Sequence, residues 1–377
     1  MRSTGKQYGN ITIRAFPYFR YMRVALIART TLHTVPGGDT VQVLATAKYL
    51  RQLGVEADVR LTHETIDYNS YDLLHFFNII RPADILKHIR PNKPYVVSTI
   101  FVDYTGYDKK GRKGWRGALF RLLSPGMIEY VKVLARYCTR KDGIASREYV
   151  WLGHDRAVKK ILRRAACLLP NSESEYRRLE KAYGIPKKYY VVPNGIDPEI
   201  FQPRPQIPRK NDMVICMARI EGIKNQLNLI LALNNTAFRL YLIGNPAPNQ
   251  PGYYAECKKA AASNIHFIDN LPQSSLVKCY SQAKVHVLPS WFETTGLSSL
   301  EAAAMGCNVV IGDRGDAKEY FGDMAFYCDP ASPESIRTAI QAAAAADTHP
   351  DLQCIINSKF TWRQAAFATV EAYKAIV

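Results

Sequence analysis

The chain has 377 residues, of which 47% are hydrophobic and 22% charged, and its formal net charge is +17. This length is too great for one ordinary core and suits two α/β domains, and the composition is that of a globular protein. No run of about 18 apolar residues occurs in the sequence, so we expect no membrane-spanning helix. Residues 1–21 lack the apolar centre of a signal peptide and are interpreted as an N-terminal extension.

Strand-like and helical patterns alternate over residues 22–196, which predicts a first domain built on a parallel sheet. A strand at 22–28 is followed by a helix at 40–54. Further strands are predicted at 56–61, 72–77, 94–101, 167–172 and 189–196. Residues 105–150 interrupt this alternation as a basic insertion.

Four prolines mark residues 197–212 as a linker, because proline disfavours both helices and central strands. The alternation then restarts over residues 213–358, which predicts a second domain of the same kind. A final amphipathic helix within 359–377 is expected to cross back to the first domain. Two doubly wound parallel sheets facing a cleft should bind ligands beyond the carboxyl ends of their strands.

The eight cysteines include no CxxC pair, which predicts reduced thiols in a cytoplasmic protein and indicates no metal site. Positive charge is concentrated in residues 105–188, which contain 21 Lys and Arg but 8 Asp and Glu. Such a surface is either a solvated helical face or one that attracts phosphate, nucleic acid or an anionic bilayer. No base-stacking pattern is evident, so we expect no nucleic-acid partner.

Residues 107–141 mix Lys and Arg with large apolar side chains, among them Trp115, Leu119, Phe120 and Leu122. This composition is typical of a segment that lies on an anionic bilayer, and it predicts a peripheral position on the inner face of a membrane.

Gly37 and Gly38 stand between the first strand and its helix. Paired glycines allow a ligand to approach the backbone closely, and a helix N-terminus favours an anion. A glycine pair also commonly forms no more than a turn. There is no GxGxxG pattern here, which argues against a nicotinamide-binding domain.

Arg219 and Lys224 follow the first strand of the second domain, in the segment ARIEGIKN. Two cations beside a helix start repel each other and the positive end of the helix dipole, so this arrangement is stable only if an anion arrives. A diphosphate would fit both. The alternative is a pair of solvated surface cations.

The segment WFETTGLSSLEAAAMG (291–306) places Glu293 at a strand end and Glu301 on the inward side of the following helix. The N–H groups of residues 294–297 are the unbonded donors of a helix start and can bind phosphate. A buried carboxylate needs hydrogen-bond donors, and the ribose hydroxyls of a nucleotide would supply them to Glu301. The alternative partner is a cation of the same domain. The later segment DRGDAKEY (313–320) is interpreted as a plain loop.

These pieces resemble the glycosyltransferases of family 4, which retain anomeric configuration and have the GT-B architecture of two Rossmann-like domains. FETTGLSSLEAAAMGCNVV resembles their E-x7-E segment, and ARIEGIKN resembles their R-x4-K segment. VVPNGID, LPNSESE and the Gly37-Gly38 turn match other landmarks in the same order over residues 22–377.

The resemblance implies transfer of a hexose-type sugar from a nucleotide diphosphate sugar, with no cofactor and no metal. Arg219 and Lys224 would bind the diphosphate, and Glu301 would bind the ribose. Gly37 and Gly38 would approach the phosphate. Glu293 would bind sugar hydroxyls, together with the helix start formed by Thr294, Thr295, Gly296 and Leu297. We expect a UDP-sugar rather than GDP-mannose as the donor, solely because of what the resembling family usually uses. The acceptor would be a glycan or lipid-linked glycan next to the basic segment 107–141.

Two features depart from the family pattern. The histidine that usually follows the fourth strand is missing from residues 96–108, where Asp103 and Tyr104 stand near its place. Either Asp103 takes over part of its role, or the alignment slips by a residue, or the activity is altered. Thr294 and Thr295 replace the usual Gly-Phe, which would narrow the sugar pocket and add hydroxyl donors.

Two other classes of function stay open from the sequence. The missing histidine and the net charge favour a nucleotide-sugar-binding or nucleic-acid-binding module without transferase activity. A sugar-nucleotide epimerase or a phosphorylase of similar fold would need an acid–base pair or a pyridoxal-bearing lysine, and no clear pattern for either is present.

Overall fold

The computed structural model describes residues 22–104, 107, 125–138 and 146–377. The extension at 1–21 and most of the basic insertion, including Trp115, Leu119, Phe120 and Leu122, lie outside the described residues. The described residues form two domains, each with a parallel sheet, which confirms the predicted fold class. No helix among them is both long and apolar enough to cross a bilayer.

The N-terminal sheet has the strand order β2-β1-β3-β4-β5, and all its pairs are parallel. Helices cover both faces, so its strands are largely apolar except for the edge strand β2. The strands are β1 Arg23–Ala28, β2 Glu56–Leu61, β3 Leu73–Phe77, β4 Tyr95–Ser98 and β5 Cys167–Leu169. The helices are α1 Gly38–Gln52, α2 Pro82–Leu86, α3 Pro125–Cys138, α4 Arg147–Arg164 and α5 Glu173–Tyr183.

The C-terminal sheet has the order β11-β10-β9-β6-β7-β8, again with parallel pairs. The strands are β6 Lys210–Met217, β7 Arg239–Ile243, β8 Ile265–Ile268, β9 Ala283–Leu288, β10 Asn308–Gly312 and β11 Phe326–Cys328. The helices are α6 Gln226–Leu233, α7 Pro251–Ala260, α8 Gln273–Gln282, α9 Leu297–Ala304, α10 Lys318–Phe321, α11 Pro333–Ala345 and α12 Pro350–Lys359. The winding direction reverses between β6 and β9, and such a switch point opens a crevice at the carboxyl ends of the two strands.

The last helix, α13 (Trp362–Lys374), packs against the N-terminal sheet although it follows the second domain in the chain. Its Tyr373 hydroxyl lies 2.6 Å from Nδ1 of the buried His75, whose Nε2 lies 2.8 Å from the Ser98 hydroxyl. This buried polar chain anchors the C-terminus in the core of the first domain.

The strand predicted at 189–196 is wrong. Only Tyr189 and Ile196 form isolated bridges there, and Pro193 lacks the N–H group that a ladder requires. Strand β6 begins at Lys210, inside the segment predicted as a linker. From the sequence we predicted no helix at the positions of α2, α3, α4, α5, α7, α10 or α12. Of these, α2, α7 and α12 have proline in the first turn, a position that needs no N–H donor.

Candidate functional site

The residues predicted from the sequence meet at the carboxyl ends of β1, β6 and β9. Arg219 follows β6, Glu293 follows β9, and the Gly37-Gly38 turn follows β1 in the other domain. A Cβ atom built on Gly37 would lie 3.7 Å from Nη2 of Arg219, and one on Gly38 would lie 3.7 Å from Cδ1 of Leu297. The glycine turn therefore faces the second domain, and a Cβ atom at either position would be in ordinary van der Waals contact with it.

Both cations of this site already have carboxylate partners. Nε of Arg219 lies 3.3 Å from Glu221, and its Nη1 donates to the Pro36 carbonyl across the cleft at 3.5 Å. Nζ of Lys224 lies 2.6 Å from Oε1 of Glu293. The negative charge that two such cations require is therefore already present in the protein, because the loops around them place a carboxylate beside each.

The pair of Lys224 and Glu293 is the more buried of the two. The lysine side chain is 25% exposed and that of the glutamate 8%. The Ser290 hydroxyl donates to the same carboxylate oxygen at 2.6 Å. Burial opposes the charge of Lys224, but Glu293 and then Glu221 raise the pKa of the lysine above its usual range, so it remains a cation.

Helix α9 begins after Gly296, whose φ of 74° lies in the left-handed region that favours glycine. Within the described part of the chain, the N–H groups of residues 294–297 make no hydrogen bond. They are the unbonded donors that the sequence predicts at this helix start. The buried Thr295 hydroxyl instead donates to Tyr320 and accepts from Asn194, each at 3.2 Å. The idea that Thr295 adds a hydroxyl to the sugar pocket is therefore wrong.

Glu301 lies half-buried on α9 and accepts a hydrogen bond of 2.8 Å from the hydroxyl of Tyr280. Among the described residues it forms no ion pair, so the alternative in which it binds a cation of its own domain is wrong. Burial raises the pKa of its carboxyl to about 7, although the tyrosine hydrogen bond lowers it. A group in this state gains most from a ligand that donates hydrogen bonds to it.

Asp103 and Tyr104 lie half-buried in the segment that follows β4. Burial raises the pKa of the Tyr104 hydroxyl, Glu221 raises it further, and Arg219 lowers it. This segment of the first domain thus comes within electrostatic reach of the Arg219–Glu221 pair at the same edge of the cleft.

Two family models match the sequence. Residues 197–357 match the model described as glycosyl transferases group 1, and residues 145–200 match the model described as glycosyltransferase family 4. The first match contains both cations and both acids of the site.

Solved structures of low sequence identity show the same fold. The sucrose-phosphate synthase of Thermosynechococcus elongatus is 16% identical, with a TM-score of 0.71 over 94% of this chain and 98% of that one. HepE of Anabaena, solved with UDP and glucose, is 14% identical, with a TM-score of 0.66 over 94% of this chain and 100% of that one. The fold is GT-B.

Curated relatives point in the same direction. An MMP α-(1→4)-mannosyltransferase of Mycolicibacterium hassiacum is 23% identical over 60% of this chain and 58% of its own length. A D-inositol 3-phosphate glycosyltransferase of Streptosporangium roseum is 24% identical over 81% of each chain. The chain thus aligns with little more than half of the first relative and about four fifths of the second. Together with the family models, these matches support a GT-B glycosyltransferase.

The segment 313–320 joins the two halves of the GT-B fold, so its interpretation as a plain loop is wrong. Asp316 accepts from Nη1 and Nη2 of Arg178 at 2.5 and 2.9 Å, and from the Ser174 hydroxyl at 2.9 Å. Glu319 accepts from two N–H groups at the start of α5, at 2.6 and 2.9 Å. Arg178 and Asp316 are 138 positions apart, so no local pattern in the sequence indicates this contact.

Proposed function

We propose that this protein is a retaining glycosyltransferase of family 4 that transfers a hexose-type sugar from a nucleotide diphosphate sugar, without a metal, to a glycan or lipid-linked glycan. One observation carries the proposal. At the switch point of the second sheet, Arg219 and Lys224 lie beside a helix start whose N–H groups make no hydrogen bond with the described residues, and Nη1 of Arg219 reaches the Pro36 carbonyl of the first domain at 3.5 Å. Such an edge suits a diphosphate held from both domains.

The chemistry follows from the charge of the leaving group. When the sugar departs, the diphosphate gains negative charge, and fixed cations in a closed cleft stabilise that charge most strongly. In this proposal the diphosphate replaces Glu293 as the partner of Lys224. The released carboxylate of Glu293 then accepts hydrogen bonds from sugar hydroxyls, and Glu301 accepts them from the ribose.

The donor is proposed to be a UDP-sugar, with GDP-mannose as the alternative. A structure of HepE with UDP-glucose supports the first, since that neighbour shares the fold over 94% of this chain. The mannosyltransferase relatives support the second. A thermal-shift screen of UDP, GDP and ADP decides between them, because a ligand that binds only the native state raises its melting temperature.

The function itself is tested by donor hydrolysis and sugar transfer. Arg219→Ala should slow both strongly, whereas Arg239→Ala should not, although Arg239 is also an arginine paired with one acid, Asp212, at 2.8 Å. Activity that survives EDTA, and a product of unchanged anomeric configuration by NMR, are expected. Donor binding without turnover would favour the non-catalytic binding module, and an epimerised sugar nucleotide would favour the epimerase.

The membrane proposal concerns helices α3 and α4, which flank part of the basic insertion. Trp151 is 87% exposed, and Val150 and Val131 are 40% and 42% exposed. The Tyr130 hydroxyl donates to the Val150 carbonyl at 3.0 Å, which places the exposed residues of both helices side by side. Residues 105–150 contain 11 Lys and Arg against 4 Asp and Glu. Exposed Trp and Val beside such charge fit the headgroup region of an anionic leaflet.

Co-sedimentation with phosphatidylglycerol vesicles tests this proposal, with phosphatidylcholine vesicles as the neutral reference. Trp151→Ser should weaken sedimentation, whereas Leu231→Ser, at a 51% exposed leucine on α6 of the other domain, should not. Binding that ignores lipid charge, or that survives reversal of the four cations Lys109, Lys110, Arg112 and Lys113, would remove the membrane from the proposal.

A further inference from the structure

The turn that follows β4 is strained. Ile100 has a φ of 44°, in the left-handed region that a β-branched residue rarely adopts, at a cost of roughly 1–3 kcal/mol. Its side chain is 8% exposed and belongs to the hydrophobic core of the first domain. The surrounding structure must hold the backbone in this conformation, since the residue itself disfavours it.

The buried carboxylate of Glu175 supplies that restraint. Its Oε1 accepts hydrogen bonds from the Thr99 hydroxyl and from the Phe101 N–H, the latter at 2.8 Å. Its Oε2 accepts from the Asn171 N–H at 2.9 Å. Both neighbours of Ile100 are therefore tied to one side chain of α5, which is 0% exposed.

Arg178, one turn further along α5, holds the same turn from its other side. Its Nη2 donates to the Phe101 carbonyl at 2.7 Å, and its guanidinium lies 5.6 Å from the centre of the Phe101 ring. The same guanidinium lies 4.6 Å from the ring of Phe292 and binds Asp316, both in the second domain. Helix α5 thus connects the strained turn to the residue that precedes Glu293.

Beyond the turn, the chain reaches the cation site. Tyr104 experiences the charges of Glu221 and Arg219. A Cβ atom built on Gly222 would overlap the hydroxyl of Tyr107, so this tyrosine lies directly on the backbone between Arg219 and Lys224. The direction in which residue 100 turns the chain therefore decides whether residues 101–104 meet the second domain at this point.

We propose that Glu175 is a positioning residue: it holds the strained turn at Ile100 so that residues 101–104, including Asp103, lie at the nucleotide-sugar site. The inference rests on the proposed function for its catalytic consequence. The placement of the segment by Glu175 can be tested without measuring turnover.

Three variants test the idea. Glu175→Gln keeps the size of the side chain but turns an NH2 group toward N–H or O–H donors, and it should lower kcat by about 10–100-fold, since small misplacements at a reacting centre cost that much. Glu180→Gln, the same change on the same helix away from the turn, should leave kcat unchanged. Ile100→Gly added to Glu175→Gln should restore at least about 5-fold in kcat, because glycine adopts this φ without strain.

The rescue separates positioning from a merely structural role. Ile100→Gly removes a buried side chain, so the double variant should melt at a lower temperature than Glu175→Gln while turning over faster. A double variant no faster than Glu175→Gln, or a folded Glu175→Gln with the kcat of the wild type, would overturn the proposal. If Glu175→Gln fails to fold, Thr99→Val, which removes one hydrogen bond from Glu175, is used in its place. The kcat of Thr99→Val is then compared with that of the double variant that also carries Ile100→Gly.

Hydrogen exchange gives a readout that needs no substrate. Residues 101–104 and 219–224 should exchange faster in Glu175→Gln than in the wild type, and Glu180→Gln should show no such change. Unchanged exchange in both segments would also refute the positioning role. A wild type that turns over no nucleotide sugar but shows the expected exchange pattern would refute the proposed function alone.

Discussion

Glu293 and Glu301 belong to the same strand-end segment, eight residues apart, yet their surroundings differ in kind. Glu293 has the cation of Lys224 at 2.6 Å and the Ser290 hydroxyl at the same distance. Among the described residues, Glu301 has only the neutral Tyr280 hydroxyl as a partner, at 2.8 Å, and burial raises the pKa of its carboxyl to about 7. The first acid is compensated before any ligand arrives, and the second is not.

This difference indicates two ways of preparing a site for one ligand. A compensated pair keeps a buried cation in place in the empty protein, and the ligand must exchange one anion for another. An uncompensated acid remains costly until a ligand donates hydrogen bonds to its charged form. Variants at the two acids should therefore differ in their effects on rate, affinity and pH dependence.

The largest effect is expected at the ion pair of Lys224 and Glu293. Lys224→Ala should lower kcat for donor hydrolysis and transfer by about 10²–10³-fold, because it removes a preorganised charge from the leaving diphosphate. Steady-state kinetics measure the change. Lys374→Ala, which also breaks a lysine–glutamate pair, at 2.7 Å but on the surface, is the control. Equal rates in the two variants would contradict the diphosphate assignment.

At the other end, Glu301→Gln should weaken nucleotide binding by about 10–100-fold, the range for hydrogen bonds to a charged group. In the wild type the ionised carboxylate is the stronger acceptor, so affinity should rise as the pH increases through about 7. The variant should show no such rise. Calorimetric titration with the preferred nucleotide between pH 5.5 and 8.5, values chosen to span that pKa, measures both. A pH-independent wild type would exclude Glu301 from the ribose contact.

The empty protein should show the opposite trend at the same residue. A folded pKa of about 7, against an ordinary value of 4.5, means that the native state binds more protons between these values. The free energy of unfolding of the wild type, relative to Glu301→Gln, should therefore increase by at most about 3 kcal/mol as the pH falls from 8 to 4.5. Urea titrations of both proteins measure it, and parallel curves would contradict it.

The smallest effect is expected from Tyr280→Phe, which removes the only hydrogen bond that the described residues donate to Glu301. The loss of one such bond should weaken nucleotide binding by about 3–10-fold. Because the hydroxyl lowers the pKa of Glu301, its removal should move the rise in affinity to higher pH. A shift to lower pH in the same titrations would show that the tyrosine does not stabilise the charged acid.

The sequence predicted most of the fold because parallel strands covered on both faces are largely apolar, and such runs can be recognised in the sequence itself. It also brought Gly37, Arg219 and Glu293 to one edge, because strand ends of parallel sheets meet there. The strand predicted at residues 189–196 was wrong, because Pro193 has no N–H group for a ladder and only isolated bridges form there. Most of the basic insertion lies outside the described residues, so its predicted role stays a prediction.

By itself, then, the sequence determined the two α/β domains and the spacing that puts one acid at a strand end and the other on the next helix. Which group each charged side chain meets was decided only by the tertiary structure. Lys224 and Glu293 are 69 positions apart, Tyr280 and Glu301 are 21 apart, and Arg178 and Asp316 are 138 apart. The physical reason is that backbone periodicity is local, whereas hydrogen bonds and ion pairs act over a few ångströms between residues that only folding brings together.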